Sequence, residues 1–458
     1  MGTCLATDAT FTAPEFPYVT QDNVAEDINV SAWTMNQINL PSGGNITLKF
    51  ESDDYAYVQN KAANQMFLVA SSVSPSDALH YPSGDLTGDP VTPGANSPQD
   101  VKFYFKLQND PVTGLPIQDI TKYTAGINLV YFRFMVDMGS YQNGTQGNFE
   151  YVSGYAPINP ANCGIDNSTS TPMGYIGLQT CDLKSDQTGS GVSCSPVLRA
   201  AIQFGRVNVP RMVYQEPPIA DGAPFGEAVL TALAGSNFAN NIAAFIAGPN
   251  KSIYNTGNCL RFVPNKSWIR LDAPTQKKLG GGLRVKSVVI SDAWDTMTGS
   301  AESAFFYGQE YDYTLDDGTS SGVASYEPQT GGDENPWKQP VFFEIKKLLV
   351  PDDKHYLEEP FGETFFPSAS VGYSRVTVRN LKRTGVTHHA TGKVVHEFYT
   401  AKDFPTITEH TDILPKRDKT DPLSLSSLFS IDVRDFMTAT QGFKIELNDM
   451  HGKPKSQS

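Results

Sequence analysis

The chain has 458 residues, of which 39% are hydrophobic and 18% are charged, and it contains 26 Phe and 20 Tyr. So many aromatic residues can fill a large core, which excludes an intrinsically disordered chain, and the low charge excludes a coiled coil. The formal net charge of −14 argues against non-specific binding to nucleic acid, because such binding depends on Lys and Arg at phosphates.

The negative charge is concentrated in the first 200 residues, where 8 Lys and Arg oppose 19 Asp and Glu. We therefore predict two regions: an acidic, insertion-rich β region at residues 1–270 and a more regular β-rich region at 271–458. The first residues lack the basic and then apolar pattern of a signal peptide. No apolar run reaches the roughly 18 residues of a membrane-spanning helix, so we predict no membrane insertion.

Alternation of apolar and polar residues is the dominant pattern along the chain, and it is typical of half-buried antiparallel strands. It predicts strands at Asn45–Phe50, Val101–Leu107, Asn128–Val136, Leu283–Ile290, Ser374–Arg379, Lys393–Tyr399 and Phe443–Leu447. We predict an all-β fold of mostly antiparallel sheets, with a few short helices in insertions.

Fewer segments suggest other structures. Residues 225–247 repeat apolar side chains near the helical period, and Val58–Val69 suggests a shorter helix. Gly280–Gly282 predicts a turn, and the composition of Pro157–Ser195 predicts a loop.

Three of the five cysteines lie in one stretch rich in Ser, Thr, Asn and Gly: Cys163, Cys181 and Cys194. They lack both CxxC spacing and a nearby His, which argues against a zinc site. Either one disulfide closes this stretch or the thiols are unrelated, and the spacing does not determine a pairing.

Two pairs of adjacent acidic residues are calcium candidates, because calcium prefers carboxylate and carbonyl oxygens: Asp53 with Asp54, and Asp333 with Glu334. Neither pair matches an EF-hand loop, and an Asp-rich turn is the simpler interpretation. We predict no other cofactor.

Candidates for catalysis are few. Glu358, Glu359 and Glu363 flank Pro360–Gly362, and a glycosidase needs two carboxylates across the scissile bond, but the sequence does not fix their separation. A metal site made of His389, His396 and His410 is conceivable, although solvent-facing histidines on strands explain them more simply. We predict a protein that is not an enzyme.

Three parts of the chain carry a family resemblance: Leu40–Gly44 with Ile46–Glu51 and Asp53–Tyr57, then Val371–Val378 with Gly392–Pro405, and finally Ile445–Lys455. They resemble phrases of large bacterial surface proteins related to the rearrangement-hotspot (RHS, YD-repeat) family, and the last part is similar to a degenerate YD repeat. This last part departs from the repeat, because Asn448 stands in place of its Tyr and Pro454 in place of an aliphatic residue.

The resemblance implies an all-β piece of a longer secreted or surface-attached polypeptide, whose strand–turn–strand units form stacked sheets or a hollow shell around a toxin. Its partners would be other parts of the same polypeptide, or surface glycans or proteins. We therefore predict a non-catalytic structural segment, a shell or a stalk. The alternatives are an adhesin-like module that binds carbohydrate or protein and a glycan-processing enzyme that uses Glu358 and Glu363.

The resemblance also predicts a truncated C-terminus. Asn448–Gly452 supplies turn residues, after which a strand should return beside Phe443–Leu447. Only Lys453–Ser458 remains, so we expect no returning strand, an exposed edge at Phe443–Leu447 and mobility beyond Gly452.

Overall fold

The computed structural model describes residues 21–71, 84–85, 101–139, 148–183, 193–213, 250, 253–254, 257–292, 298–299, 306–326, 333–338, 340–345, 353–358, 370–381, 392–411, 442–447 and 449–458. Of these residues, 51% lie in strands and 13% in helices, and almost all strand pairs are antiparallel. The prediction of an all-β fold with a few short helices is confirmed.

The first half of the chain supplies short strands, one very long strand and the helices. Its strands are β1 (Gln37–Asn39), β2 (Asn45–Tyr55), β3 (Tyr57–Val58), β4 (Lys61–Ala62), β5 (Asn64–Ser71), β6 (Gly84–Asp85), β7 (Lys102–Lys106), β8 (Leu129–Asp137), β9 (Phe149–Asp166), β10 (Met173–Leu178), β11 (Cys181–Asp182) and β12 (Ser193–Cys194). Its helices are α1 (Asn23–Ser31), α2 (Thr121–Thr124), α3 (Pro196–Asn208) and α4 (Pro210–Val213).

The described residues of the second half form strands and a 3₁₀ turn at Pro264–Lys266. The strands are β13 (Arg261–Phe262), β14 (Trp268–Asp272), β15 (Lys278–Ser291), β16 (Phe306–Asp312), β17 (Gly322–Ala324), β18 (Pro340–Ile345), β19 (Asp353–Glu358), β20 (Val371–Tyr373), β21 (Arg375–Asn380), β22 (Lys393–Phe398), β23 (Ile407–His410), β24 (Phe443–Glu446) and β25 (Pro454–Gln457).

Six strands close into a barrel in the order β14, β5, β7, β10, β9 and β8, because β8 pairs with β14 and completes the circle. Alternate residues of these strands point inward and fill the barrel with aromatic rings, among them Phe103, Phe105, Phe132 and Phe134. The Phe103 and Phe134 ring centroids are 5.0 Å apart in an edge-to-face contact. This barrel holds the largest core of the described residues.

Large rings in a small barrel require small residues opposite them. Phe132 on β8 pairs with Gly154 on β9, and a Cβ atom at Gly154 would lie 2.7 Å from the Phe132 ring. Helix α3 closes part of this core with a buried face that includes Leu198 and Ile202. It begins after Ser195, whose side chain accepts a hydrogen bond from the Val197 backbone N–H at 3.3 Å.

The second large assembly is a seven-stranded sheet in the order β1, β2, β15, β16, β21, β22 and β25. Its longest pairing joins β2 to β15, from Tyr55 opposite Lys278 to Asn45 opposite Ser291. This pairing crosses the boundary predicted near residue 270, so residues from both predicted regions share one sheet. A small four-stranded sheet, in the order β20, β17, β3 and β4, lies beside it.

Two local predictions are wrong. Val58–Val69 is not helical but forms parts of β3, β4 and β5, whose β-branched and aromatic residues pack in a sheet. Gly280–Gly282 is not a turn but a bulge inside β15, where the register with β2 shifts between Leu279 and Leu283. All three glycines of this bulge have positive φ angles between 110° and 147°.

The composition of Pro157–Ser195 predicts a loop or an insertion, and the described part of this stretch contains the end of β9, all of β10 and the β11–β12 pair. Asn159, Asn162, Gly164, Gly174 and Gly177 lie in strands because tertiary pairing overrides their weak propensity. The helix predicted at residues 225–247 lies outside the described residues.

The last strand of the chain does not return beside Phe443–Glu446. Phe443–Glu446 pairs with Ile407–His410, and the chain then leaves this pair and forms β25. In β25, Ser456 lies opposite Glu397, so the last residues extend the seven-stranded sheet as an edge strand.

Candidate functional site

Charged residues accumulate where the chain passes between the seven-stranded sheet and the barrel. One crossing runs from β2 to β5, and the other runs from β14 to β15. They lie side by side, because Asn64 pairs with Asp272 on the barrel side and Tyr55 pairs with Lys278 on the sheet side. We name the charged residues at this place the junction cluster: Glu51, Asp53, Asp54, Lys277, Lys278, Arg284 and Glu334.

Arg284 is the centre of the junction cluster. Its Nη2 atom lies 2.8 Å from Asp54 Oδ2, and its Nε atom lies 2.8 Å from Glu51 Oε1 on the neighbouring strand. Its Nη1 atom donates a hydrogen bond of 3.0 Å to the Tyr373 hydroxyl, and the guanidinium lies 4.5 Å from the ring centroid of Tyr313. One arginine therefore ties β15 to β2 and to β20.

Asp53 and Asp54 are adjacent, but the pKa values of their carboxyl groups shift in opposite directions. Burial raises the pKa of Asp53, although the Tyr373 hydroxyl donates a hydrogen bond of 2.6 Å to its Oδ1 atom. Burial also acts on Asp54, but hydrogen bonding and charge from Arg284 outweigh it and lower the pKa of that carboxyl. Two carboxylates with opposed pKa shifts resemble an acid–base pair, but here each one is already bound by side chains of the protein.

Lys278 and Glu334 form a buried ion pair on the barrel side of the junction cluster. The Lys278 Nζ atom lies 3.0 Å from Glu334 Oε2 and donates a hydrogen bond of 2.6 Å to the Asn64 carbonyl. The two side chains are 0% and 3% exposed, so the pair is buried away from water and salt screens it only weakly. Next to it, the Lys277 Nζ atom lies 3.4 Å from Asp54 Oδ2.

A second charged group, which we name the Asp333 cluster, contains Arg133, Arg270, Asp333, Lys338 and Glu358. Arg133 and Lys338 each place a nitrogen 3.3 Å from an Asp333 oxygen, and Lys338 also lies 3.1 Å from Glu358. Arg270 donates to the Asn335 carbonyl at 2.9 Å. These contacts fasten residues 333–338 to the outside of the barrel.

Tyrosines line the Asp333 cluster. The Tyr155 hydroxyl donates a hydrogen bond of 2.9 Å to Glu358, and the Arg270 guanidinium lies 5.2 Å from the Tyr131 ring centroid. Burial raises the pKa of Tyr356 to about 12, so its hydroxyl is protonated at neutral pH.

The predicted calcium residues are held by basic and hydroxyl groups of the protein. Lysine or arginine nitrogens lie within 3.4 Å of Asp54, Asp333 and Glu334, and Asp53 accepts a hydrogen bond from Tyr373. Calcium takes about six to eight oxygen ligands, and Lys and Arg supply none. Within the described ranges, no group of three or more His, Cys, Asp or Glu residues is arranged to hold a metal.

The predicted catalytic candidates are only partly described. Glu359, Glu363 and His389 lie outside the described residues, and Glu358 belongs to the Asp333 cluster. His396 lies on β22 and His410 on β23, which belong to different sheets.

The three cysteines of the predicted disulfide do not share one environment. Cys181 and Cys194 lie directly opposite each other on β11 and β12, and their sulfur atoms are 3.4 Å apart. The Cys163 sulfur lies 3.2 Å from the Asn159 carbonyl oxygen instead. All three are free thiols in this structure.

The sequence did not indicate Asp272, which ends β14 at the junction. Burial raises the pKa of this carboxyl to about 6, even though the Gly126 backbone N–H donates a hydrogen bond of 2.8 Å to it. One feature of the sequence could have indicated the basic side of the junction cluster. It is the pair of cations Lys277-Lys278 at the start of β15.

No protein-family model, curated protein or solved structure matches this chain. Among the described helices, none is both long enough and apolar enough to cross a membrane.

Proposed function

We propose that this chain is a non-catalytic structural segment, a shell or stalk piece, of a large secreted or cell-surface bacterial protein related to the RHS family. The observation that carries the proposal is the junction cluster, where buried acidic and basic side chains bind one another between two extended β assemblies. The family relation rests on the sequence phrases alone.

Charge pairing of this kind favours a structural role over a catalytic one. A catalytic carboxylate must reach a substrate, whereas Asp54 is bound by Arg284 and Lys277 and is almost completely buried. Breaking a buried ion pair leaves an uncompensated charge, which makes such a pair essential to the architecture once it exists.

The partners that fit this role are other parts of the same polypeptide. The seven-stranded sheet has β1 at one edge and β25 at the other. Edge strands present backbone N–H and C=O groups that a neighbouring strand can pair with. Further sheet segments added at these edges would build a stacked or shell-like assembly.

The second candidate is a module that binds carbohydrate or protein, and exposed aromatic residues favour it. Trp33 is fully exposed, and Phe306, Tyr307 and Phe342 are each more than half exposed. Exposed rings of this size are typical of binding surfaces.

Thermal unfolding of the full chain with a panel of soluble glycans separates the two candidates. A ligand that binds only the folded chain raises the unfolding midpoint. The structural role predicts no shift with any glycan, for the native chain and for Trp33→Ala alike. A shift that Trp33→Ala or Phe306→Ala abolishes would contradict the structural role and support binding.

The same panel tests the third possibility, a glycan-processing enzyme. Release of reducing sugar by the native chain, lost in Glu358→Gln and kept in the matched exposed variant Glu409→Gln, would overturn the proposal. The structural role predicts no release by any of the three proteins.

A further inference from the structure

We infer that Cys181 and Cys194 form a redox-active dithiol that small-molecule disulfides, such as oxidised glutathione, convert into an intramolecular disulfide. The inference does not depend on the proposed function, because it concerns a covalent site at the edge of the barrel. The sequence leaves the pairing among Cys163, Cys181 and Cys194 undetermined, and the inference selects Cys181 with Cys194.

The geometry of the two strands selects this pair. Cys181 and Cys194 are directly opposed in the antiparallel β11–β12 pair. Directly opposed residues have Cα atoms about 4.5–5.5 Å apart, inside the range of about 4.4–6.8 Å that disulfides span. Because the sulfur atoms are already 3.4 Å apart, side-chain rotation without strand movement can bring them to bonding distance.

The surroundings of the two thiols give them different roles. A hydrogen bond from Cys194, together with the charge of Arg199, lowers the pKa of Cys181, so Cys181 is the thiol that ionises first. The hydrogen bond with Cys181 and burial raise the pKa of Cys194. Arg199 lies on helix α3, which begins two residues after Cys194, so the helix carries the activating charge to the site.

The reaction proceeds by two thiol–disulfide exchanges. The Cys181 thiolate attacks one sulfur of oxidised glutathione, the S–S bond of glutathione breaks, and one glutathione leaves as a thiolate that takes up a proton. Cys194 then loses its proton and attacks the Cys181 sulfur of the mixed disulfide, and the second glutathione leaves as a thiol. The two protein thiols are oxidised, and the glutathione disulfide is reduced to two thiols.

The remaining described cysteines are poor competitors. Burial raises the pKa of Cys163, and burial raises the pKa of Cys259 to about 12. The Cys259 sulfur packs 3.7 Å from the Met138 sulfur in the barrel core. Both thiols are therefore protonated and unreactive at neutral pH.

The disulfide would connect the segment after barrel strand β10 to the start of helix α3. β11 follows β10 of the barrel within a few residues, and β12 leads into helix α3, whose buried face packs on the barrel core. A bond between them fixes the start of the helix against the barrel. Closing the short loop restricts the unfolded chain, so oxidation should raise the unfolding midpoint by about 5 °C.

The test is incubation of the full chain with oxidised glutathione at pH 7, followed by a thiol count in denaturant and peptide mapping. We expect two thiols lost per chain, a peptide that links Cys181 to Cys194, and no bound glutathione at the end. Without oxidant, iodoacetamide should label Cys181 on the order of 10-fold faster than Cys163.

Cys163→Ser is the matched control, because it removes a neighbouring half-buried thiol and should leave both the linkage and the midpoint increase intact. Cys194→Ser should stop at a stable mixed disulfide of Cys181 with glutathione. An unchanged thiol count, a linkage that includes Cys163, or equal labelling of Cys181 and Cys163 would each overturn the inference.

Discussion

In the barrel, phenylalanine rings fill the interior and hold the strands together through apolar contact, whereas the junction with the seven-stranded sheet buries ionised side chains such as Lys278 and Arg284. The barrel depends on shape, because Phe132 fits only against the missing side chain of Gly154. The junction depends on charge pairing, because Lys278 is paired with Glu334, and Arg284 with Glu51 and Asp54. The two regions should therefore respond differently to truncation, to paired substitution and to pH.

The largest effect is expected from truncating the barrel core. Phe134→Ala should lower the free energy of unfolding by about 4 kcal/mol, because it removes a fully buried ring and leaves a cavity. Chemical denaturation measures this loss, which should be the same at low and high salt. The exposed Phe306→Ala is the control, and a comparable loss there would refute the distinction between core and surface.

At the junction, Lys278→Met should cost about 3 kcal/mol, because it leaves Glu334 as an uncompensated buried charge. The double variant Lys278→Met with Glu334→Leu should recover most of that loss, since no buried ion is then left alone. Chemical denaturation of the native chain, the single variants Lys278→Met and Glu334→Leu, and the double variant measures the coupling energy. If the stability losses of the two single variants simply add in the double variant, the ion pair does not stabilise the junction.

Asp272 makes the stability of the chain depend on pH. Its pKa of about 6 in the folded chain exceeds the usual value of 3.8, so the folded state binds more protons between these two values. Stability from this group therefore falls as pH rises from about 4 to about 6, and above that the buried charge costs about 2–3 kcal/mol.

Asp272→Asn should remove this cost, because the amide oxygen still accepts the hydrogen bond from Gly126. The variant should be more stable than the native chain at pH 8 by about 2 kcal/mol and nearly equal to it at pH 4. Urea denaturation across this pH range measures the difference. If the stability gained by the variant over the native chain were smaller at pH 8 than at pH 4, the predicted effect of the Asp272 charge would be contradicted.

The smallest effect is local to helix α3. Ser195→Ala should cost about 1 kcal/mol, because the backbone N–H of Val197 loses its capping partner. Ser195→Asp should retain stability, since an aspartate also caps a helix N-terminus. Equal losses in both variants, measured by thermal unfolding, would show that the cap contributes nothing.

The sequence predicted the strands with clear alternation well, because each has one buried and one less buried face. Leu129–Asp137 lies where Asn128–Val136 was predicted, and Lys102–Lys106 lies inside Val101–Leu107. It missed strands that contradict local propensity. Phe149–Asp166 contains two prolines and two glycines and becomes a strand only because β8 and β10 pair with it on both sides.

The junction cluster could be predicted only in part, since its members lie far apart in the chain. Asp53 and Asp54 were selected as acidic residues, but Arg284, which binds Asp54, is 230 positions away. Which basic residue lies beside Asp54 depends on the register between β2 and β15, and this register cannot be predicted from the sequence. Without the register, the sequence indicates only an Asp-rich turn or a weak calcium candidate at residues that lie beside Lys and Arg in the structure.

Hydrogen exchange of the Arg284→Met variant tests most directly whether the paired charges of the junction cluster hold β15 to β2 and to β20. The variant removes the contacts of β15 to Glu51, Asp54 and Tyr373 and leaves the barrel core untouched. We predict a large loss of protection in β2 and β15 and native protection in the barrel strands β8 and β9. Unchanged protection in β2 and β15, or an equal loss in β8 and β9, would contradict the account.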